Sequence, residues 1–218
     1  MADIFQEVDE EVRRDKALEF WKKHQTLVIA VCVAIVAASG GWRYYRNSVQ
    51  VAAETAGAGY ETALALVRDG KSGEADEALR GVISQGPAGY ALLAKFTSAA
   101  NLAASDPAKA VAIYDGLAND PKIDPTMRDV ARLRAATLRL DSADYNEMRT
   151  RLEPLAAPGA PFRNSAREYL AYAAFKAGDT EAAGSWLDQI VVDQQAPAQI
   201  RARAEALLGL VGAGQPKG

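Results

Sequence analysis

The clearest pattern in this chain is an uninterrupted apolar run, LVIAVCVAIVAASGGW, at Leu27–Trp42. Residues 24–42 contain no charged side chain. As a helix rising about 1.5 Å per residue, they would reach roughly 28 Å, close to the ~30 Å thickness of the hydrocarbon core of a bilayer. The pattern therefore predicts a single transmembrane helix, which with its interfacial flanks covers residues 24–46.

Three other interpretations of this run fit less well. A buried core helix would show a polar stripe and a surface helix a charged face, and residues 27–38 have neither. A cleaved signal peptide is the main alternative, because Ala37 and Ser39 are small enough for a cleavage site. Its leader, however, would carry seven acidic and five basic residues instead of being short and basic.

The flanks of the run predict how it lies in the membrane. Trp42, Tyr44 and Tyr45 have the amphipathic rings that favour a membrane interface. Five basic residues precede the run, and only two lie in the twenty residues after it. Because basic residues are enriched on the cytoplasmic side, we expect a cytoplasmic N-terminus. Residues 47–218 would then lie across the membrane, which in a bacterium means the periplasm.

Two features of the N-terminal part suggest contacts with partners. Residues 1–23 read as a charged cytoplasmic helix with a thin apolar stripe, which either lies on the membrane surface or docks a partner; its members are Ile4, Phe5, Val8, Val12, Phe20 and Trp21. Within the span, Ala30, Ala34 and Ala38 recur every four residues. Small residues at this spacing permit close contact with another membrane helix.

After Arg46 the apolar positions follow a helical period, which predicts an all-α domain over residues 47–211. A small, a large apolar and a second apolar residue stand at i, i+4 and i+7 four times, with units 35, 38 and 35 residues apart. The four sets are Ala75/Leu79/Val82, Ala110/Tyr114/Leu117, Met148/Leu152/Leu155 and Ala183/Leu187/Ile190. Twelve residues before each set stands a small residue: Ala63, Ser98, Ala136 and Ala171. This spacing predicts four hairpins of closely packed helices.

Turn residues stand where these hairpins require them, at 70–73, 105–107, 142–144 and 178–180. The last three turns contain an Asp, Ser or Thr able to cap the following helix, and Pro107 suits a first helical turn. A final helix near 198–211 would cap the stack, and residues 212–218 would form a loose tail. We expect distortion in the third unit, where Met148 replaces a small residue and Pro154 interrupts the second helix.

The period, the small residues and the turns together resemble degenerate tetratricopeptide repeats, especially GDTEAAGSWLDQI at 178–190. The predicted fold is all-α: an N-terminal helix and one transmembrane helix, then a tetratricopeptide-like α-solenoid of about four hairpins plus a capping helix. The order of the segments DIFQEVDEEVRRDKALEFWKK, GWRYYRN and AETAGAGYETAL resembles the inner-membrane family related to YfgM, described as ancillary subunits of the SecYEG translocon.

This resemblance covers residues 3 to about 210. It implies a bitopic protein that associates with the SecYEG translocon and with a membrane-anchored periplasmic chaperone of the peptidyl-prolyl isomerase type. It implies no catalytic residues.

The side chains that usually carry catalysis are sparse. The single cysteine, Cys32, lies inside the apolar run, and the single histidine, His24, lies at its edge. Acidic side chains cluster at Glu74, Asp76 and Glu77, where they complement the dipole of a helix start. With 25 basic and 28 acidic residues, the chain lacks the basic excess of nucleic-acid-binding proteins. We therefore predict no enzyme, cofactor, metal, nucleic acid or small-molecule substrate.

One basic patch is a candidate partner site. Arg128, Arg132 and Arg139 fall within about 40° of one another on an ideal helix, so they could clamp an acidic or C-terminal segment of a partner. Asp124 stands four residues before Arg128 and can pair with it. A solvated, salt-bridged surface is the competing interpretation.

These observations favour a membrane-tethered scaffold that binds a chaperone or an emerging secretory chain at the exit side of the translocon. An adaptor for assembling other cell-envelope machinery would share the same fold and topology. A membrane-anchored hydrolase that uses carboxylates is a third possibility, and it requires at least two acidic side chains converging in a pocket.

Overall fold

The computed structural model describes residues 2–213, and within that range it contains nine α-helices and no strand. Helix α1 (Ala2–Arg68) carries the apolar run. Part of this helix, within Leu18–Arg68, is long and apolar enough to cross a membrane, and its apolar stretch is not buried. Its apolar side chains are exposed, for example Val36 at 72%.

Eight shorter helices follow α1. They are α2 (Ser72–Gln85), α3 (Ala88–Leu102), α4 (Pro107–Asn119), α5 (Pro125–Arg139), α6 (Tyr145–Ala156), α7 (Arg163–Lys176), α8 (Thr180–Val191) and α9 (Ala198–Ala213). Of the predicted apolar stripe before the span, Phe20 and Trp21 are exposed, whereas the other four side chains lie outside the described ones. Helix α9 takes in the first two residues of the predicted tail, and residues 214–218 lie outside the described range.

The described residues divide into two compact units after Thr55. The first holds most of α1, including the apolar run. The second begins at Ala56 and holds the last turns of α1 together with α2–α9.

The second unit is an α-solenoid built as the apolar pattern predicts. In the first hairpin, Ala63 near the end of α1 packs with Leu79 and Val82 of α2. Helix α3 contacts α4, α5 contacts α6, α7 contacts α8, and α9 packs against α8. All sixteen positions of the repeat pattern are at most 6% exposed. Because small residues stand where the helices of a hairpin approach, large apolar residues further along can fill the space between hairpins. The prediction of an all-α solenoid of four hairpins plus a capping helix is confirmed.

The core is divided into four clusters along the solenoid. Each cluster joins the two helices of one hairpin to the first helix of the next, as Leu79 and Val82 of α2 do with Ala94 of α3. The last cluster joins α7, α8 and α9 through Leu187, Ile190 and Ala204 among others. Stacking neighbouring units in this way buries a continuous core from short-range contacts.

The turns contain the predicted caps. The carboxylates of Asp106, Asp144 and Asp179 each accept a hydrogen bond from the backbone N–H three residues later, at 3.1, 2.8 and 2.9 Å. Each of these bonds satisfies a backbone donor that the first turn of a helix leaves unpaired. Gly178 has a φ of 82°, a conformation that costs other residues about 1–2 kcal/mol.

The third hairpin differs from the others. The side chain of Met148 is fully buried at a position that alanine holds in the other three units, and it lies in one core cluster with Ala136 of α5 and Leu170 of α7. The expected interruption at Pro154 is wrong, since α6 continues to Ala156. Pro154 lies in the last turn, where its missing N–H removes only one helical hydrogen bond.

Candidate functional site

Two of the three predicted arginines on α5 are bound within the chain. Arg132 donates to the carboxylate of Asp129 at 2.8 Å and to the carbonyl of Ala118 at 3.2 Å. Arg139 forms a bidentate ion pair with Glu147, at 3.0 and 2.8 Å. Recognition of a partner by these guanidinium groups would have to compete with internal hydrogen bonds.

Arg128 lies on the same helix but differs from the other two. Its Nε is buried and has no hydrogen-bond partner. The expected pairing with Asp124 is absent among the ion pairs of the described residues, because the Asp124 carboxylate instead accepts the Thr126 N–H at 2.8 Å and caps α5. The use of Arg128, Arg132 and Arg139 by a partner remains a prediction.

The pairing of Arg139 is part of a four-residue network between the second and third hairpins. Glu147 also accepts a hydrogen bond from Arg151 at 3.0 Å, and Arg151 reaches across to Asp115 of α4 at 2.7 Å. Hydrogen bonding from Arg139, supported by Arg151, lowers the pKa of Glu147 to about 2, although burial opposes this shift. Alternating charges on α4, α5 and α6 therefore join two repeats electrostatically.

Two surface cavities flank this network. One of about 640 Å³ is bordered by Asp115, Arg132 and Arg151, and one of about 500 Å³ by Val111, Leu138 and Arg139. Glu147 borders both. The low pKa of Glu147 keeps this carboxylate ionised near neutral pH, so it stays paired with Arg139 and Arg151 between the two cavities.

A second polar network stabilises the C-terminal end of the solenoid. Arg163 donates to both carboxylate oxygens of Asp193, at 2.6 and 3.0 Å, and Asn164 and the Gln195 N–H donate at 3.1 and 2.9 Å. Arg201 of α9 donates to the Asp193 carbonyl at 2.8 Å. The Arg163 and Gln195 hydrogen bonds hold the pKa of Asp193 well below its usual range. Asp193 therefore connects α7, the α8–α9 turn and α9.

Arg167 is buried beside this network. Its guanidinium donates to the carbonyl of Ala156 at 3.1 Å and to that of Gln189 at 3.2 Å. These two carbonyls lie near the C-terminal ends of α6 and α8, where helices leave carbonyl groups without intrahelical partners. Because carbonyl groups near the ends of α6 and α8 satisfy the buried charge of Arg167, this side chain joins the third and fourth hairpins.

The remaining candidates lie apart from these networks. Cys32 and the alanines at 30, 34 and 38 are exposed on α1. In the acidic group at the start of α2, Asp76 accepts hydrogen bonds from Ser98 at 2.8 Å and from Arg80 at 2.9 Å. Among the described residues, no group of His, Cys, Asp and Glu is arranged to hold a metal ion.

Glu147 and Asp193 each accept several of the hydrogen bonds in their network, and neither was predicted from the sequence. The spacing of Glu147 and Arg151, four residues apart on one helix, was visible in the sequence. The pairing of Arg163 with Asp193 joins residues thirty positions apart, and nothing in the local pattern signals it.

Comparison with known families agrees with this architecture. The family model of the tetratricopeptide repeat-like domain matches residues 18–169. That range covers more than half of the chain, from just before the apolar run to the middle of α7, so the chain belongs to the tetratricopeptide repeat-like domain family. Searches of curated proteins and of solved structures found no significant match. Domains of this class are typically protein-binding scaffolds, since stacked helical repeats present extended surfaces.

Proposed function

We propose that this protein is a single-pass scaffold of a bacterial inner membrane, which holds a protein-binding repeat domain on the periplasmic side of the Sec translocon. The observation that carries the proposal is an uncovered apolar stretch of α1 followed in the same chain by a tetratricopeptide-like solenoid. The family match begins at residue 18 and so includes the apolar run. A run that belongs to the family's own domain supports a retained anchor over a cleaved leader.

The partners we propose follow from the family resemblance of the N-terminal segments. They are the SecYEG translocon, a membrane-anchored periplasmic chaperone and emerging secretory chains. Orientation rests on the basic residues, five before the run against two after it. The scaffold would assist the biogenesis of secretory and membrane proteins by recruiting the chaperone to the translocon exit.

The mechanism is an increase in effective concentration. A tether confines the solenoid near membrane-bound partners, so contacts that are weak in free solution become frequently occupied. This mechanism requires no covalent chemistry. The polar networks around Glu147 and Asp193 serve to hold the repeats in register.

Co-purification from native membranes tests the partner assignment. The full-length protein, stabilised by a reversible crosslinker, should recover translocon subunits together with a periplasmic chaperone. Recovery of neither would refute the Sec assignment, and recovery of cell-wall or outer-membrane assembly factors would favour the envelope adaptor. A phosphatase fused after Gly218 should be active if the repeat domain is exported, and inactivity would reverse the orientation.

A separate substitution tests the span. Replacing the three alanines at 30, 34 and 38 with leucine leaves the segment apolar, so insertion should persist while close helix–helix contact is blocked. We expect co-purification of membrane partners to fall. Unchanged co-purification would show that the span is only a tether, and leucine at the nearby Val31, Val33 and Ile35 provides the matched control.

A further inference from the structure

A groove of about 630 Å³ lies between α8 and α9, at the C-terminal end of the solenoid. Glu181, Gly184, Asp188 and Val192 line its α8 side at helical spacing, and Leu208 and Val211 line its α9 side. Val192 is 76% exposed. The groove therefore has an apolar strip with a carboxylate toward each end of its α8 wall.

The internal repeat shows what fits such a groove. Asp188 stands five residues after Ala183, as Asp115 of α4 stands five residues after the equivalent Ala110. In that earlier unit, Arg151 of α6, in the next hairpin, reaches across a cavity that both helices border and donates to Asp115 of α4 at 2.7 Å. The next repeat thus supplies an arginine to the carboxylate at this position.

The groove beside α8 has the same carboxylate without that arginine. Among the described residues, α9 is the last helix, and neither Asp188 nor Glu181 takes part in an ion pair. The described lining residues include these two acids and no basic side chain. Charge complementarity therefore favours a basic occupant, and the apolar strip favours a helix with an apolar face.

We propose that the α8–α9 groove docks a helix of a protein partner, with an arginine or lysine of that helix paired to Asp188 as Arg151 is paired to Asp115. This inference rests on the proposed scaffold function and specifies where a partner binds and which kind of segment it offers. Gly184 leaves room for the docked helix. A Cβ at Gly184 would lie 3.9 Å from Val211 Cγ1, an ordinary contact, so alanine fits at this position, whereas we expect the larger leucine side chain to fill part of the groove.

Site-specific photocrosslinking in native membranes tests this proposal. In the full-length protein, benzoylphenylalanine replaces Ser185, which lines the groove. We expect an adduct with a partner peptide that is helical and contains an arginine or lysine. Asp188→Arg should lower the adduct yield at least about tenfold through like-charge repulsion, whereas Asp188→Glu should retain it. Gly184→Leu should block the groove and Gly184→Ala should not, with thermal melts confirming that all four variants fold.

A matched control uses the equivalent position of α4. Ala112 stands two residues after Ala110, as Ser185 stands two residues after Ala183, and the carboxylate of Asp115 in that unit is already paired with Arg151. Benzoylphenylalanine at 112 should give no adduct that depends on Asp188.

Four outcomes overturn the proposal: no adduct at position 185, an adduct with a second copy of the chain, an adduct with residues 214–218 of the same chain, or a yield that Asp188→Arg leaves unchanged. The scaffold function fails separately. If co-purification still recovers partners while position 185 gives no adduct, the groove is refuted and the scaffold stands. If neither experiment recovers a partner, both are refuted.

Discussion

For the substitution Met148→Ala, the repeat pattern and the packing of the third hairpin predict opposite effects on stability. Alanine stands at the equivalent position in the other three units, at 75, 110 and 183. By the pattern alone, Met148→Ala restores a regular repeat and should stabilise the domain. The structure predicts the opposite, because Met148 is fully buried among Leu152 and Leu170.

The size of the effect follows from that burial. Removing a buried methionine side chain loses transfer free energy and leaves a cavity, and such substitutions cost about 2–5 kcal/mol. Relaxation of α6 toward α5 would reduce the cost. The bidentate Arg139–Glu147 pair lies next to Met148 and holds the two helices at their present separation, so we expect a loss of about 3 kcal/mol.

The assay is thermal unfolding of the full-length protein in detergent, followed by far-ultraviolet circular dichroism. For a domain of this size, about 3 kcal/mol corresponds to a fall in melting temperature of about 6–12 °C. The reciprocal control is Ala183→Met, which overpacks the tightly packed α7–α8 hairpin and should cost about 1–3 kcal/mol. A melting temperature of Met148→Ala equal to or above that of the parent would refute the reasoning, since it would show that α5 and α6 close onto each other freely.

Three further predictions concern charge, backbone and capping. The folded-state pKa of Glu147 is about 2, below its ordinary ~4.3, so its stabilisation is complete above about pH 4.3 and is lost as the pH falls toward 2. Glu147→Gln should lower the melting temperature at neutral pH and flatten its slope across that window; an unchanged slope would contradict the assignment. Gly178→Ala, at a φ of 82°, should destabilise by about 1–2 kcal/mol, whereas Gly184→Ala inside α8 should stabilise by about 0.5–1 kcal/mol; equal melting temperatures for the two variants would count against this difference. Asp179→Ala should remove the α8 cap and cost about 1 kcal/mol, and an exposed-site control, Asp188→Ala, should melt within about 0.5 kcal/mol of the parent.

Much of the fold was predictable because helical hairpins are local structures. The positions i, i+4 and i+7 lie on one face of a helix, so the apolar pattern already identified residues such as Leu79 and Leu187 as core. The caps Asp106, Asp144 and Asp179 were equally readable, since a cap bonds to the backbone three residues away. Ser98 was predicted as a small residue at a close contact between helices. In the structure its hydroxyl donates a hydrogen bond to the carboxylate of Asp76 on the neighbouring helix.

The candidate site was less predictable because ion pairs depend on distances between helices. The arginines of α5 were predicted to share one face, but the sequence does not show that Arg139 meets Glu147 or that Arg132 meets Asp129. Asp124 had two possible roles, a side-chain pair or a helix cap, and the shorter connection to the backbone of its own turn prevails.

The sequence by itself determined the apolar run, the four hairpins, their turns and the near absence of cysteine and histidine, because each depends on composition or on contacts within a few residues. Tertiary structure decided which charges pair between repeats, how Met148 packs between α5 and α7, and that Asp188 faces an open groove where the equivalent Asp115 meets an arginine. These features depend on the relative placement of helices about 35 residues apart in sequence, and that placement is fixed only when the whole stack has packed.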